Sequence, residues 1–127
     1  MIKIALVDDH HLLRALIGDV INKFDGCRVV ISAKHGLELI EQIELGNLPD
    51  LVILDLCMKV MYGFETAKWL RSHHPDILVL VLSMLESDVS KLWLIKMGVR
   101  GFLKKDICTS DLKAAIFFGV ARQRMRL

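Results

Sequence analysis

Four apolar runs in this sequence end on polar side chains of the kind that handle a phosphoryl group. Asp8-Asp9 follow Ile2–Val7, and Asp55 closes Leu51-Val52-Ile53-Leu54. Ser83 follows Ile77–Leu82, and Lys105 stands just past Arg100–Lys104. Clustered carboxylates repel one another, and their ordinary remedy is a hard cation with oxygen ligands. Mg2+ suits such a set best, because it holds its ligands tightly and keeps several waters. One of the three carboxylates can also act as a nucleophile and form an acyl phosphate. A hydroxyl and an ammonium group are then what the phosphoryl oxygens need. Taken singly, Asp55 is a turn former and Ser83 or Lys105 a solvated loop residue. Their common placement at the ends of apolar runs carries the chemistry.

The elements that must position them are legible from periodicity. Leu51–Asp55, preceded by Pro49-Asp50, is a short continuous apolar run, the pattern of a strand buried on both faces of a parallel sheet. Ile2–Val7, Arg28–Ala33, Ile77–Leu82 and Arg100–Lys104 supply four more strands. Helical spacing predicts helices over His10–Phe24, His35–Leu45, Phe64–Ser72 and Asp88–Met97, and a last one from Thr109 or Ser110 to about Arg122. The first helix presents Leu13, Leu16 or Ile17, and Val20 on one face; the second presents Leu37, Ile40 and Ile43. Asp25-Gly26, Gly46-Asn47, His73-His74-Pro75 and Gly98 punctuate the helix ends.

Five strands alternating with five helices predict an α/β fold, a doubly wound five-stranded parallel sheet flanked by helices. Right-handed crossovers leave few arrangements, and the order 2-1-3-4-5 is the expectation. In that order the first and third strands are neighbours at the topological switch point, so Asp8, Asp9 and Asp55 converge on one crevice.

The 127 residues form one domain, 54% hydrophobic, with a net charge of only +2. That balance gives no global argument for nucleic acid. No apolar run approaches the roughly 18 residues that cross a bilayer, and the N-terminus reads as a strand and not as a leader. The three cysteines, Cys27, Cys57 and Cys108, lack metal-type spacing. The expectation is a reducing, cytoplasmic setting with no membrane partner. His10-His11 and His73-His74 are adjacent pairs, a poor pattern for a transition metal, and no Gly-x-Gly-x-x-Gly follows the first strand. A phosphatase with an Asp nucleophile would want a second Asp near Asp55, where Cys57 stands.

At these residues the sequence resembles the receiver domain of two-component response regulators. The matching features are Asp8-Asp9, Asp55, Ser83 in Val81-Leu82-Ser83-Met84, Lys105, and Gly63 after the acceptor loop. The stretch Met97-Gly98-Val99-Arg100-Gly101-Phe102-Leu103-Lys104-Lys105-Asp106 resembles the NarL/FixJ (LuxR-type) branch, where Lys-Asp commonly replaces Lys-Pro. The resemblance implies a flavodoxin-like receiver over residues 1–122, with 123–127 starting a basic linker or tail. It implies that Asp55 accepts a phosphoryl group from a sensor histidine kinase. It further implies Mg2+ on Asp9, Asp55 and the backbone carbonyl of Cys57, with Asp8 acting through a water. Ser83 and Lys105 would hold phosphoryl oxygens, and Ser83 and Phe102 would be the switch residues. Such a domain is a signalling module and not an enzyme in the ordinary sense. The branch adds homodimerisation on activation and transcriptional control through a C-terminal helix-turn-helix beyond Leu127. Two alternatives remain, a stand-alone receiver that binds a protein and a degenerate receiver that works unphosphorylated.

The chain departs from the family pattern near the acceptor. Lys59 replaces a usual proline, Cys57 stands where many relatives are polar, Leu85 lies two residues past Ser83, and His11 follows His10 where relatives often have Pro. Cys57 and Leu85 orient water poorly, which predicts a long-lived phosphoryl group. Trp93, Ile95, Val99, Phe117 and Phe118 exceed what one helix face can bury, so some of them are expected to form an exposed association surface.

Overall fold

A computed structural model of the chain describes residues 1–56, 63–82 and 88–125, residues 88–90 by their backbone alone. The expectations placed on Cys57, Lys59, Ser83 and Leu85 lie outside the described residues. The elements run β1 (Ile2–Val7), α1 (His11–Asn22), β2 (Cys27–Ala33), α2 (Gly36–Glu44), β3 (Leu51–Asp55), α3 (Gly63–His73), β4 (Leu78–Leu82), α4 (Asp88–Lys96), β5 (Val99–Leu103) and α5 (Thr109–Arg124). All pairings are parallel and the sheet order is β2-β1-β3-β4-β5, as the alternation of elements predicted.

Alternate residues of the strands feed two apolar layers, as the period of two along a strand requires. Val7, Val52, Leu54, Val79 and Val81 face one layer, closed by Leu39 and Ile43 of α2, Ala67 and Leu70 of α3, and Leu94 of α4. Ile4, Leu6, Leu51, Ile53, Leu78, Leu80 and Leu82 face the other, closed by Ile21 of α1 and by Leu112, Ile116 and Val120 of α5. β3 and β4 are buried along their whole length, which is why they read as unbroken aliphatic runs.

Two register shifts interrupt the ladders. Ile4 pairs with Val29 but Ala5 with Ile31, so Val30 is the extra residue on β2. Val79 pairs with Val99 but Leu80 with Gly101, so Arg100 is the extra residue on β5.

Several local expectations are corrected. Leu37 is 47% exposed, and α2 packs through Leu39 and Ile43. On α1, Leu16 points to water, while Leu13, Ile17 and Val20 are half-buried around the buried Ile21. Val99 is 1% exposed and belongs to one apolar layer, and Phe117 packs against the other, so neither forms the exposed patch. Trp93, Ile95 and Phe118 are exposed as expected, and Leu92 joins them. The last helix is capped at Cys108, which makes no side-chain cap bond, so neither Thr109 nor Ser110 is its cap, and the helix runs on to Arg124.

Candidate functional site

The crevice forms where β1 and β3 end side by side, with Val7 paired to Leu54. Asp8 continues β1 by donating its backbone N–H to the Ala33 carbonyl at 3.0 Å. Its Oδ1 accepts the His10 N–H at 2.8 Å, a turn that directs the chain into α1. His10 in turn caps α1, its Nδ1 accepting from the Leu13 N–H at 3.2 Å.

Asp8 is 4% exposed, and its Oδ2 has no hydrogen-bond donor among the described residues. Asp55 closes β3 at 2% exposure. Lys105, two residues beyond β5, brings its Nζ to 3.3 Å from Asp55 Oδ1. Asp9 is exposed at the rim, and one carboxylate oxygen from each of Asp8, Asp9 and Asp55 lies within 4.8 Å of the others.

The electrostatics follow from that crowding. Burial pushes the Asp8 carboxyl up to about 6, the His10 N–H pulls against the rise, the Asp55 carboxylate adds to it, and Lys105 lowers it weakly. A buried oxygen with no donor, beside two further carboxylates, is a donor set that a hard divalent cation satisfies. The described residues therefore fit Mg2+, with Asp8, Asp9 and Asp55 as the oxygens that would hold it.

Gly63 is required by its surroundings. A Cβ there would stand 2.7 Å from the Leu56 Cα and 2.9 Å from the Asp55 carbonyl oxygen, so only glycine lets α3 start against the exit of β3. Phe102 on β5 is half-buried against the core, and the Lys91 ammonium lies 5.7 Å from its ring centroid.

The structure brings together Asp8, Asp9, Asp55 and Lys105 and leaves Phe102 on β5, the strand that leads to Lys105. It also shows a residue that pattern reading missed. Arg14 donates from Nη1 to the Asp8 carbonyl and from Nε to Ser32 Oγ at 2.9 Å, pinning α1 to the ends of β1 and β2. The available signal was a single arginine one turn into the helix after the acidic pair.

A parallel sheet of this order, with three acids at the switch point and a lysine on the last strand's exit, is the architecture of a receiver type of domain. Residues 4–117 match the response regulator receiver domain family, and the chain belongs to it. Its relatives, which include NarL and a LuxR-family regulator, are consistent with the NarL/FixJ branch. It is 37% identical over 125 residues to the response regulator GacA of Pseudomonas syringae pv. syringae (strain B728a), covering 98% of this chain and 58% of that protein. Against the nitrate/nitrite response regulator protein NarL of Escherichia coli (strain K12) it is 34% identical, covering 89% of this chain and 52% of that one. A two-component response regulator of the LuxR family from Aurantimonas sp. SI85-9A1 superposes with a TM-score of 0.85 at 26% identity, over 94% of this chain and 84% of that one. The chain thus spans little more than half the length of these two curated relatives. Among the described residues no helix is long and apolar enough to cross a membrane.

Proposed function

We propose that this receiver takes a phosphoryl group on Asp55 from a phosphohistidine of a sensor histidine kinase. The observation that carries the proposal is the Asp55 carboxylate, 2% exposed, held 3.3 Å from an ammonium group and beside two further acids. An Asp55 oxygen attacks phosphorus, the O–P bond forms as the N–P bond breaks, and the kinase imidazole keeps the N–P electron pair and takes up a proton. Lys105, already beside Asp55, follows the transferred oxygens and neutralises part of their charge. Ser83 is assigned a second phosphoryl contact from the sequence match. Asp9, Asp55 and the Cys57 carbonyl, with Asp8 through a water, would hold Mg2+, which would supply further charge neutralisation at the phosphoryl oxygens.

The output is proposed to run through Ser83 and Phe102 to the β5 side, where Leu92, Trp93 (57% exposed) and Phe118 stand in water, and to pair two copies of the chain. The Lys104-Lys105-Asp106 signature and the greater length of the relatives support transcriptional control through a DNA-binding module in the whole protein. A cytoplasmic setting fits that role.

Incubation with acetyl phosphate and Mg2+ should add one phosphoryl group by intact mass, and Asp55→Asn should add none. Labelling that survives Asp55→Ala would overturn Asp55 as the acceptor, and none with any donor or kinase would favour the unphosphorylated interaction module instead. Beryllium fluoride should shift the parent toward dimer in sedimentation and leave Asp55→Asn unchanged.

A further inference from the structure

At the amino end of the sheet, opposite the acidic crevice, a cleft of about 520 Å3 opens between the last turn of α3, the last turn of α4 and the start of β5. Among the described residues its lining includes Arg71, His74, Lys96 and Arg100 and no aspartate or glutamate. Its floor is apolar, with Ile77, Val79 and Ile95. In a chain of net charge +2, this much unopposed positive charge in one concavity is a marked segregation.

Two backbone features aim the charges. Arg100 is the extra residue of the β5 register shift, and bulges of this kind redirect a side chain away from the ladder. Gly98 adopts φ +93, and the Arg71 stem packs over it, its Cβ, Cγ and Cδ 3.8–3.9 Å from where a Cβ of Gly98 would stand. Lys96 rests its ammonium 5.6 Å from the Trp93 ring centroid. None of Arg71, Lys96 and Arg100 forms a salt bridge among the described residues.

Helix capping accounts for only part of the cluster. Four carbonyls of the last turns are already bonded by the backbone: Leu70 by the His74 N–H at 2.7 Å, Trp93 and Leu94 by the Met97 N–H, and Ile95 by the Gly98 N–H at 3.0 Å. Arg100 is not on a helix at all.

We propose that this cleft binds a phosphorylated small molecule of mononucleotide size, its phosphate between Arg71 and Arg100 and its ring on Ile77, Val79 and Ile95. Guanidinium groups suit phosphate oxygens in paired contacts. The volume lies within the roughly 300–1,000 Å3 of small-molecule clefts, and a concave apolar floor favours a discrete ligand over a nucleic-acid backbone.

The test is an amide NMR titration of the chain at about 150 mM salt with three probes: adenosine monophosphate, inorganic phosphate and a short DNA duplex. Adenosine monophosphate should shift the Gly98 and Arg100 amides saturably and bind about tenfold tighter than inorganic phosphate. Arg100→Gln, an exposed strand position that does not threaten folding, should weaken it about tenfold, as should Arg71→Gln. Asp55→Asn should bind like the parent, which separates this cleft from the phosphorylation site. Equal weak responses to both small anions, no effect of Arg100→Gln, or binding only to the duplex with affinity rising with its length would each overturn the proposal.

Discussion

The two ends of the same sheet treat charge in opposite ways. At the carboxyl end Asp8 and Asp55 are sealed from water beside a third acid, and Asp8 is pushed up to about 6. At the amino end Arg71, Lys96 and Arg100 stand in solvent, where like charges are screened within about 10 Å and alter stability little. Burial makes the difference. The buried Asp8 is held against its preference and gains from a cation, whereas the exposed bases tolerate one another with or without an anion.

The sharpest way to break this comparison is at the backbone that builds the carboxyl end. Gly63→Ala drives a Cβ into the Leu56 Cα and the Asp55 carbonyl, neither of which is a flexible tip. It should cost about 3 kcal/mol in urea unfolding. A loss below about 1 kcal/mol would show that α3 can back away and that the crevice is loosely built.

Next comes the charge itself. Asp8 binds its proton more tightly folded than unfolded, its ordinary value being 3.8 and its folded value about 6. Between those values the folded state holds more protons, so without Mg2+ stability should fall as pH rises from about 4 to about 6. Asp8→Asn keeps an oxygen for the His10 N–H and removes that loss. It should be about 2–3 kcal/mol more stable than the parent at pH 8 and nearly equal to it at pH 4. Added Mg2+ should raise the melting temperature of the parent at pH 8 and not that of the variant.

A smaller effect is expected from Lys105→Met, which leaves the buried Asp55 without its ammonium partner. Lys105 is 25% exposed, so water replaces part of the interaction, and a loss of about 1–2 kcal/mol is expected from urea midpoints. Smallest of all is Arg100→Gln at the other end, which should stay within about 0.5 kcal/mol of the parent at any salt concentration. A larger change there would erase the contrast between the two ends.

The site was legible because its members close strands that are buried on both faces, where an apolar run followed by a carboxylate has few other meanings. Alternation and handedness narrowed the sheet order to a few arrangements, of which the expected one is found. What sequence could not supply was the origin of each periodic pattern. In α2, Leu37 and Leu39 both fit helical spacing, and the buried Gly36 at the helix start decides in favour of Leu39. In β5, the extra residue at Arg100 shifts the register by one and leaves Val99 inside, a change no alternation rule anticipates. Arg14 was missed because its partners, the Asp8 carbonyl and Ser32, meet it only once α1, β1 and β2 are assembled.

The pairing of Val7 with Leu54 also governs how the chain comes into being. β1 leaves the ribosome long before β3, and β2 can cover only one of its two edges. Until Leu54 has been synthesised, the stretch Ile4–Val7 carries an open ladder of backbone donors and acceptors lined with aliphatic side chains. Loop-closure entropy delays the match further, so folding should take roughly milliseconds to seconds, slower than a helical bundle of this size. A ribosome stalled before Leu54 would therefore present a sticky half-sheet, a substrate for chaperones and a seed for aggregation.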